Sequence, residues 1–372
     1  MCRFSIATSI LTQAAQQRVF PGAAFGVLRP DEPFAIETIG AFTYQPDSPR
    51  VQIDTIFDMA SVSKAMATTS MAMLLWERGR LDLDEPLARR LPGFLHVGFA
   101  PDPLRSRITA RMLLAHSSGL PAYAPLYKTC ATADEVLEAC LHMPVQAPPG
   151  TLAVYSDIGF ILLGHLLEQI AGERLDSFCQ REVFTPLGMS STFYCPAAEL
   201  RASIPPTADK ENFRGRILQG EVHDGNCWRL GGISGHAGLF SNVRDALRLA
   251  DCLLHRGRNI FRSETIFTFT RRQQMPPSSS RALGWDTPTA PSSSGTRFSP
   301  HSVGHLGYTG TSLWIDFDKQ VAIVLLTNRT YPGDEAAASE AMKSVRPRFH
   351  DALMRELGWG TATNSSPAAG DE

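Results

Sequence analysis

Strand-like apolar runs stand near both ends of this chain, and helical periodicity fills the stretch between them. Residues 22–29 (GAAFGVLR) and 34–42 (FAIETIGAF), separated by a Pro/Asp turn, have the length and punctuation of a β-hairpin. Far downstream, Thr311–Phe317 and Val321–Thr327 are joined by Asp318, Lys319 and Gln320, which predicts a second hairpin. Helical patterns cover residues 132–143, 157–171, 175–184 and 243–255. Strands at both termini with helices between them specify an α+β fold. The terminal strands join in one antiparallel sheet flanked by helices, and a mostly helical region is inserted in the middle.

Further elements follow from local pattern. Residues 4–18 read as a surface helix, and Ile53–Met59 as a third strand. A long amphipathic helix is expected to begin near Ser61, to carry Met66, Thr69, Ala72, Met73 and Leu74 on one side, and to stop near Gly79. The Pro-, Ser-, Thr- and Gly-rich stretch 276–300 predicts loops around one short element at Ala282–Trp285, a rim rather than a core. Residues 335–357 read as a closing helix, and residues 360–372 as a disordered tail. The expected organisation is one domain over 1–359. Its α/β part spans residues 1–80 and 260–359, and its helical region residues 81–259.

Charge excludes some partners. Lys and Arg total 35 against 37 for Asp and Glu, so the net charge of -2 offers no attraction to nucleic acid or to an acidic membrane. The first twenty residues hold no apolar run of the length a secretory signal needs, and Cys2 has no apolar segment ahead of it. No later stretch is long and apolar enough to span a membrane. The seven cysteines (Cys2, Cys130, Cys140, Cys179, Cys195, Cys227, Cys252) are odd in number and form no C-x-x-C pair, which predicts reduced thiols and a cytoplasmic location. Nothing in the sequence speaks to oligomeric state.

Three short stretches carry the chemistry. Ala60-Ser61-Val62-Ser63-Lys64 places a hydroxyl and an amine three residues apart at a helix start, so both lie on one face with an ammonium against the serine oxygen. The same helical turn offers unpaired N–H groups to an oxyanion. Taken alone this pattern also describes a helix cap followed by a solvated lysine. The second stretch runs from Pro148 through Tyr155-Ser156-Asp157, a turn followed by polar residues at the head of an apolar helix. The third, His305-Leu306-Gly307-Tyr308-Thr309-Gly310, leads into a strand. Its glycines let a substrate approach the strand edge, where a backbone N–H at Tyr308 completes an oxyanion hole with that of Ser61.

In this order the three stretches resemble the motifs of the penicillin-recognising serine hydrolases, specifically the class C β-lactamase-like branch that includes esterases and D-amino-acid peptidases. The resemblance runs from Gly22 to Arg329 and implies a β-lactamase/transpeptidase-like fold. Ser61 and Lys64 match S-x-x-K. Tyr155 matches the tyrosine of Y-x-N, with Asp157 in place of Asn, and His305-Leu306-Gly307 stands where K-T-G is found, similar to the H-x-G of esterase-like members. Supporting phrases are LLAHSSGLP (113–121), PPGTLAVYSD (148–157), GGISGHAGLFS (231–241) and GYTGTSLWID (307–316).

The resemblance implies catalysis by Ser61, Lys64 and Tyr155 without metal or cofactor, and the departures refine it. A carboxylate at 157 is expected to pair with Lys64 and keep it protonated, which leaves Tyr155, as a phenolate favoured by that ammonium, to take the Ser61 proton. His305 replaces a fixed cation by a group expected to titrate near neutrality, and Leu306 removes a hydroxyl donor. Both changes weaken recognition of a substrate carboxylate and tilt the reading toward neutral esters. Gly307, His236 and Tyr123 are expected to line the cleft with Asp157 and His305. His116 reads as a capping or core histidine, and Val222–Asn226 as a hydrogen-bonded loop rather than a metal site. The expected partner is thus a small ester, amide or β-lactam. Two alternatives remain: a class C-type β-lactamase or D-amino-acid/peptidoglycan peptidase, and a non-catalytic binding or self-assembling relative. No serine stands in a G-x-S-x-G frame.

Overall fold

In the computed structural model, which describes residues 3–97, 100–333 and 336–359, the chain opens with α1 (Ser5–Gln16), β1 (Gly22–Leu28) and β2 (Ala35–Gly40). β3 (Phe57–Asp58) runs into the turn at Ser61, and a π-helical turn over Lys64–Thr68 continues as α2 (Thr69–Glu77). The inserted region holds β4 (His96–Val97), β5 (Ala100–Pro101), α3 (Ala110–Leu114), α4 (Ala133–Leu141), α5 (Asp157–Ala171), α6 (Leu175–Cys179), β6 (Phe193–Tyr194), α7 (Gly225–Arg229), β7 (Leu239–Ser241), α8 (Val243–Leu254) and α9 (Ser263–Thr270). β8 (Ser302–Leu306), β9 (Ser312–Asp316), β10 (Val321–Thr327) and α10 (Ala336–Glu356) close the chain. Cys2, Glu335 and the tail from Gly360 lie outside the described residues.

The terminal strands form a five-stranded antiparallel sheet in the order β2-β1-β10-β9-β8, as the two hairpins imply. β1 pairs with β10 so that Ala23 faces Thr327 and Leu28 faces Ala322, and both strands are buried throughout. The two faces serve two cores, following the period of two along a strand. Phe25, Val27, Ile323 and Leu325 pack on Leu11 of α1 and on Phe349 and Leu353 of α10. Ala24, Leu28, Val324 and Leu326 face the larger core with α2, α5 and α8. At Gly26 a Cβ would come within 2.4 Å of Val243 Cγ1, which is why α8 can lie so close to β1.

The expected third strand is shorter than residues 53–59 and belongs elsewhere. β3 pairs with β7 in a separate small sheet of order β3-β7-β6. The helix after Ser61 is not amphipathic, because every residue from Lys64 to Leu75 is buried. It runs through the centre of the molecule and is covered on all sides by α5, α6, α9 and its own core. The 276–300 stretch is irregular, yet Ala282, Leu283 and Trp285 within it belong to the main core, so it is more than a rim.

Candidate active site

The nucleophile candidate is presented by a strained turn. Ala60, just before Ser61, has a φ of +46°, in the left-handed region that a residue with a Cβ enters at a cost. Asp58 holds that turn: its Oδ1 accepts from Ala60 N at 2.8 Å and its Oδ2 from His223 N at 2.7 Å. Burial pushes the Asp58 carboxyl up to about 6, partly offset by these two backbone N–H groups. The third motif clamps the same strand from the other side. Thr309 Oγ1 donates to Asp58 O at 2.9 Å and Thr311 Oγ1 to Met59 O at 3.1 Å. Gly307 is required there, since a Cβ would lie 1.9 Å from Thr311 Oγ1 and 2.6 Å from Met59 O.

Lys64 is wholly buried, so a solvated cap lysine is excluded. Its ammonium donates to Ser61 Oγ at 2.9 Å and to His236 O at 2.8 Å, and it forms an ion pair with Asp157 Oδ1 2.7 Å away. Burial opposes the charge, but Asp157 and Tyr155 outweigh it, and the Lys64 pKa stands above its usual value. The His236 carbonyl reaches Lys64 because two glycines let the backbones meet. The 231–238 segment crosses α5 with Gly235 against Gly164, where a Cβ on Gly164 would lie 2.8 Å from Gly235 Cα.

Tyr155 precedes the N-cap of α5. Ser156 Oγ caps the helix by accepting from Gly159 N at 3.0 Å, and Gly172 ends it in the left-handed conformation. His116 grips both neighbours of the tyrosine: its carbonyl accepts from Val154 N at 2.9 Å and its Nδ1 from Ser156 N at 3.0 Å. Its ring lies against Tyr155 with centroids 4.5 Å apart. Burial drives the His116 pKa well below its ordinary value, as a neutral ring accepting at Nδ1 requires. The Tyr155 phenol is buried and makes no regular hydrogen bond, and its ring centre lies 4.9 Å from Lys64 Nζ. Burial raises its pKa, against a lowering by Lys64 and Ser61 that does not prevail. The neutral phenol is therefore the resting form, a correction to the phenolate expected from the ammonium alone.

These groups open into a cleft of about 680 Å³ lined by Ser61, Tyr155, Asp157, His236, His305, Gly307, Tyr123 and Tyr308. All the residues singled out from the sequence except Lys64 line it, and Lys64 lies beneath, bonded to Ser61. Tyr123 and Tyr308 are the exposed aromatic walls. Among the described residues the Ser61 N–H has no hydrogen-bond acceptor. His305 departs from expectation. Burial and the nearby Lys64 charge push its pKa down to about 3, so it is a neutral ring near pH 7 rather than a group in titration. Its Nδ1 donates to Leu306 O at 2.8 Å, and its buried Nε2 is left without a partner.

Sequence reasoning missed three contributors. Arg346 of α10 reaches the cleft and donates to Gly307 O at 2.7 Å and to Thr311 O at 3.1 Å, bracing the third motif. Arg281, from the 276–300 stretch, lines the cleft with its Cζ 5.5 Å from the Tyr155 ring centre and only a loose ion pair, 3.6 Å, to Asp286. Asp224 caps α7 through Cys227 N at 2.7 Å and accepts from His236 Nε2 at 2.8 Å. The 222–226 run is thus a hydrogen-bonded turn, and among the described residues no cluster of three or more His, Cys, Asp or Glu has the disposition of a metal site. Asp224 follows a helix-capping signal, but neither arginine has a local signal, because each arrives through tertiary packing.

A family model described as Beta-lactamase matches residues 7–346. The chain belongs to this family. Its relatives include a protein of Escherichia coli K12 named "Putative D-alanyl-D-alanine carboxypeptidase", 33% identical over 307 residues that cover 74% of this chain and 70% of the relative. A Salmonella typhi protein of the same name is 31% identical over 318 residues, covering 76% and 71%. Among solved structures, unliganded simvastatin synthase (LovD) from Aspergillus terreus superposes with a TM-score of 0.73 at 20% identity, covering 96% of this chain and 100% of that one. EstCE1, described as a hydrolase with promiscuous acyltransferase activity, gives 0.73 at 21%, covering 94% and 98%. A class C beta-lactamase from Rhodobacter sphaeroides gives 0.71 at 21%, covering 95% and 99%. At these identities the structural likeness fixes the fold. The family is one of serine hydrolases, and its fold is the mixed α/β architecture described above.

Proposed function

We propose that the protein hydrolyses esters through an acyl-enzyme on Ser61. The observation that carries this is the buried Lys64 ammonium 2.9 Å from Ser61 Oγ at the floor of an open cleft, with Tyr155 beside both. Because Lys64 already donates to Ser61 Oγ, the serine's own proton is free to go to Tyr155 once the phenol has ionised. Ser61 Oγ then bonds to the substrate carbonyl carbon, and the oxyanion is held by the N–H groups of Ser61 and Tyr308. Collapse breaks the bond to the leaving group, which takes the proton from Tyr155. Water, giving a proton to Tyr155, attacks the acyl carbon, and the proton returns to Ser61 as the acid departs. Asp157 keeps Lys64 charged throughout. The neutral His305 and the hydroxyl-free Leu306 supply no cation or hydroxyl for a substrate carboxylate, which favours neutral esters.

A second reading, a D-amino-acid carboxypeptidase, is favoured by Arg281, a loosely paired cation on the cleft wall, and by the name of the relatives. Steady-state assays separate the two. Hydrolysis of p-nitrophenyl butyrate at a kcat/KM at least tenfold above that for a D-Ala-D-Ala peptide and for a chromogenic cephalosporin supports the esterase. D-alanine release at the higher kcat/KM supports the peptidase instead. Among the described residues no helix is long and apolar enough to cross a membrane.

A further inference from the structure

A second cavity of about 710 Å³ opens beside the catalytic cleft, and Tyr127, His223 and Gly225 line both. At Gly225 a Cβ would lie 2.6 Å from the Tyr127 ring, so only a glycine leaves the boundary between the two spaces uncluttered. Tyr127 and Phe213 meet edge to face across 4.8 Å, and Phe213 is 55% exposed, an apolar platform with one side free.

The polar lining is unusual for a surface hollow. Arg214 has a side chain only 2% exposed, held rigid by Nη2 donating to His223 O at 2.9 Å and by stacking over Trp228 at 4.9 Å. Its Nη1 is buried with no hydrogen bond, and the nearest carboxylate, Glu221, stands 3.8 Å away, outside hydrogen-bond reach. A buried donor left without an acceptor is unfavourable, so it marks a place where an acceptor is missing. Asp209 and Glu211 line the same cavity, and among the described residues neither has an ion-pair partner. A guanidinium with a spare donor and two unpaired carboxylates together match a group carrying both an anion and an ammonium.

We infer that this cavity is a subsite for a zwitterionic α-amino-acid end of the substrate, its carboxylate on Arg214 and its ammonium on Asp209 and Glu211. The inference rests on the acyl-enzyme reading, since the occupant is the part of the substrate that extends past Tyr127 from the carbonyl at Ser61. A substrate so built is an ω-acyl amino acid rather than a simple alkanoate.

The test has a kinetic and a binding arm. The 8-p-nitrophenyl ester of 2-aminosuberic acid is compared with p-nitrophenyl octanoate, which has the same chain without the charges. The wild-type kcat/KM ratio is expected to favour the zwitterion at least tenfold and to fall toward 1 in Arg214→Lys and in Asp209→Asn/Glu211→Gln. Independently of turnover, 2-aminosuberate is expected to bind Ser61→Ala in calorimetry, at least tenfold more tightly than it binds the same protein carrying Arg214→Lys. Should Arg214→Lys fail to fold, the Asp209→Asn/Glu211→Gln variant, which changes no buried residue, decides. Octanoate turnover with no zwitterion preference, or 2-aminosuberate binding that is absent or unchanged in the variants, overturns the subsite alone. Binding without any ester turnover sustains the subsite and counts against the esterase.

Discussion

Asp157 Oδ1 lies 2.7 Å from Lys64 Nζ in an ion pair whose cation is fully buried while the carboxylate keeps 18% of its side-chain exposure. This pair sets the protonation of the whole cluster. Lys64 is held above its usual pKa and Tyr155 above its own, so the base-competent form, one proton poorer, is scarce near neutrality and grows with pH. Ester hydrolysis is expected to rise through the alkaline range. In Asp157→Asn the negative charge that helps raise the Tyr155 pKa is gone, so the rising limb of kcat/KM moves to lower pH. A limb unchanged by the substitution would remove Asp157 from the proton balance.

His305 provides a cleaner spectroscopic check. With a pKa pushed down to about 3, its ring is already neutral and does not change charge between pH 5 and 8. Proton NMR of the imidazole Cε1–H should show no titration of His305 in that interval, whereas an ordinary exposed histidine moves through it near 6.5. A His305 midpoint between 6 and 7 would restore the carboxylate-binding role that the motif position suggested.

Asp58 makes stability depend on pH. Its folded pKa of about 6 exceeds the ordinary 3.8, so the folded state holds the proton more tightly than the unfolded chain. That contribution is full below pH 3.8 and is lost as pH rises through 6, a span worth on the order of 3 kcal/mol at most. The Tm of Asp58→Asn minus that of wild type should therefore become more positive from pH 4 to pH 7. The variant also gives up one of two backbone acceptors, which lowers its Tm at every pH without altering this trend. A difference that stays flat across the interval would contradict the assignment.

Gly307 is where the third motif touches the nucleophile strand. Gly307→Ala puts a Cβ against Thr311 Oγ1 and the Met59 carbonyl, and relief requires the strand ahead of Ser61 to shift. A loss of about 1–3 kcal/mol in denaturant unfolding is expected, together with a fall of at least tenfold in kcat/KM for p-nitrophenyl butyrate. Wild-type stability and turnover would show that the contact yields freely.

The sheet was legible because β1 and β10 are buried on both faces and so read as unbroken apolar runs, and α5 because Ser156 and Gly172 mark its ends. The helix after Ser61 was misread as amphipathic, since Thr68 and Ser70 look polar in sequence but donate their hydroxyls inside the core, Thr68 to Gly235 O at 2.7 Å and Ser70 to Met66 O at 2.9 Å. The Ser61, Lys64 and Tyr155 grouping was legible through motif order. His305 was placed correctly but its protonation was not, because burial is a property of tertiary packing. Arg281, Arg346 and Arg214 reach their positions from loops and from α10, and no local pattern distinguishes them from surface arginines.

The most direct measurement is intact-protein mass spectrometry after exposure to a fluorophosphonate, with peptide mapping of the adduct. A single adduct on Ser61 that is absent in a folded Ser61→Ala variant is the predicted result. No adduct on the wild-type protein, or one that persists in Ser61→Ala, would contradict a nucleophile at this position.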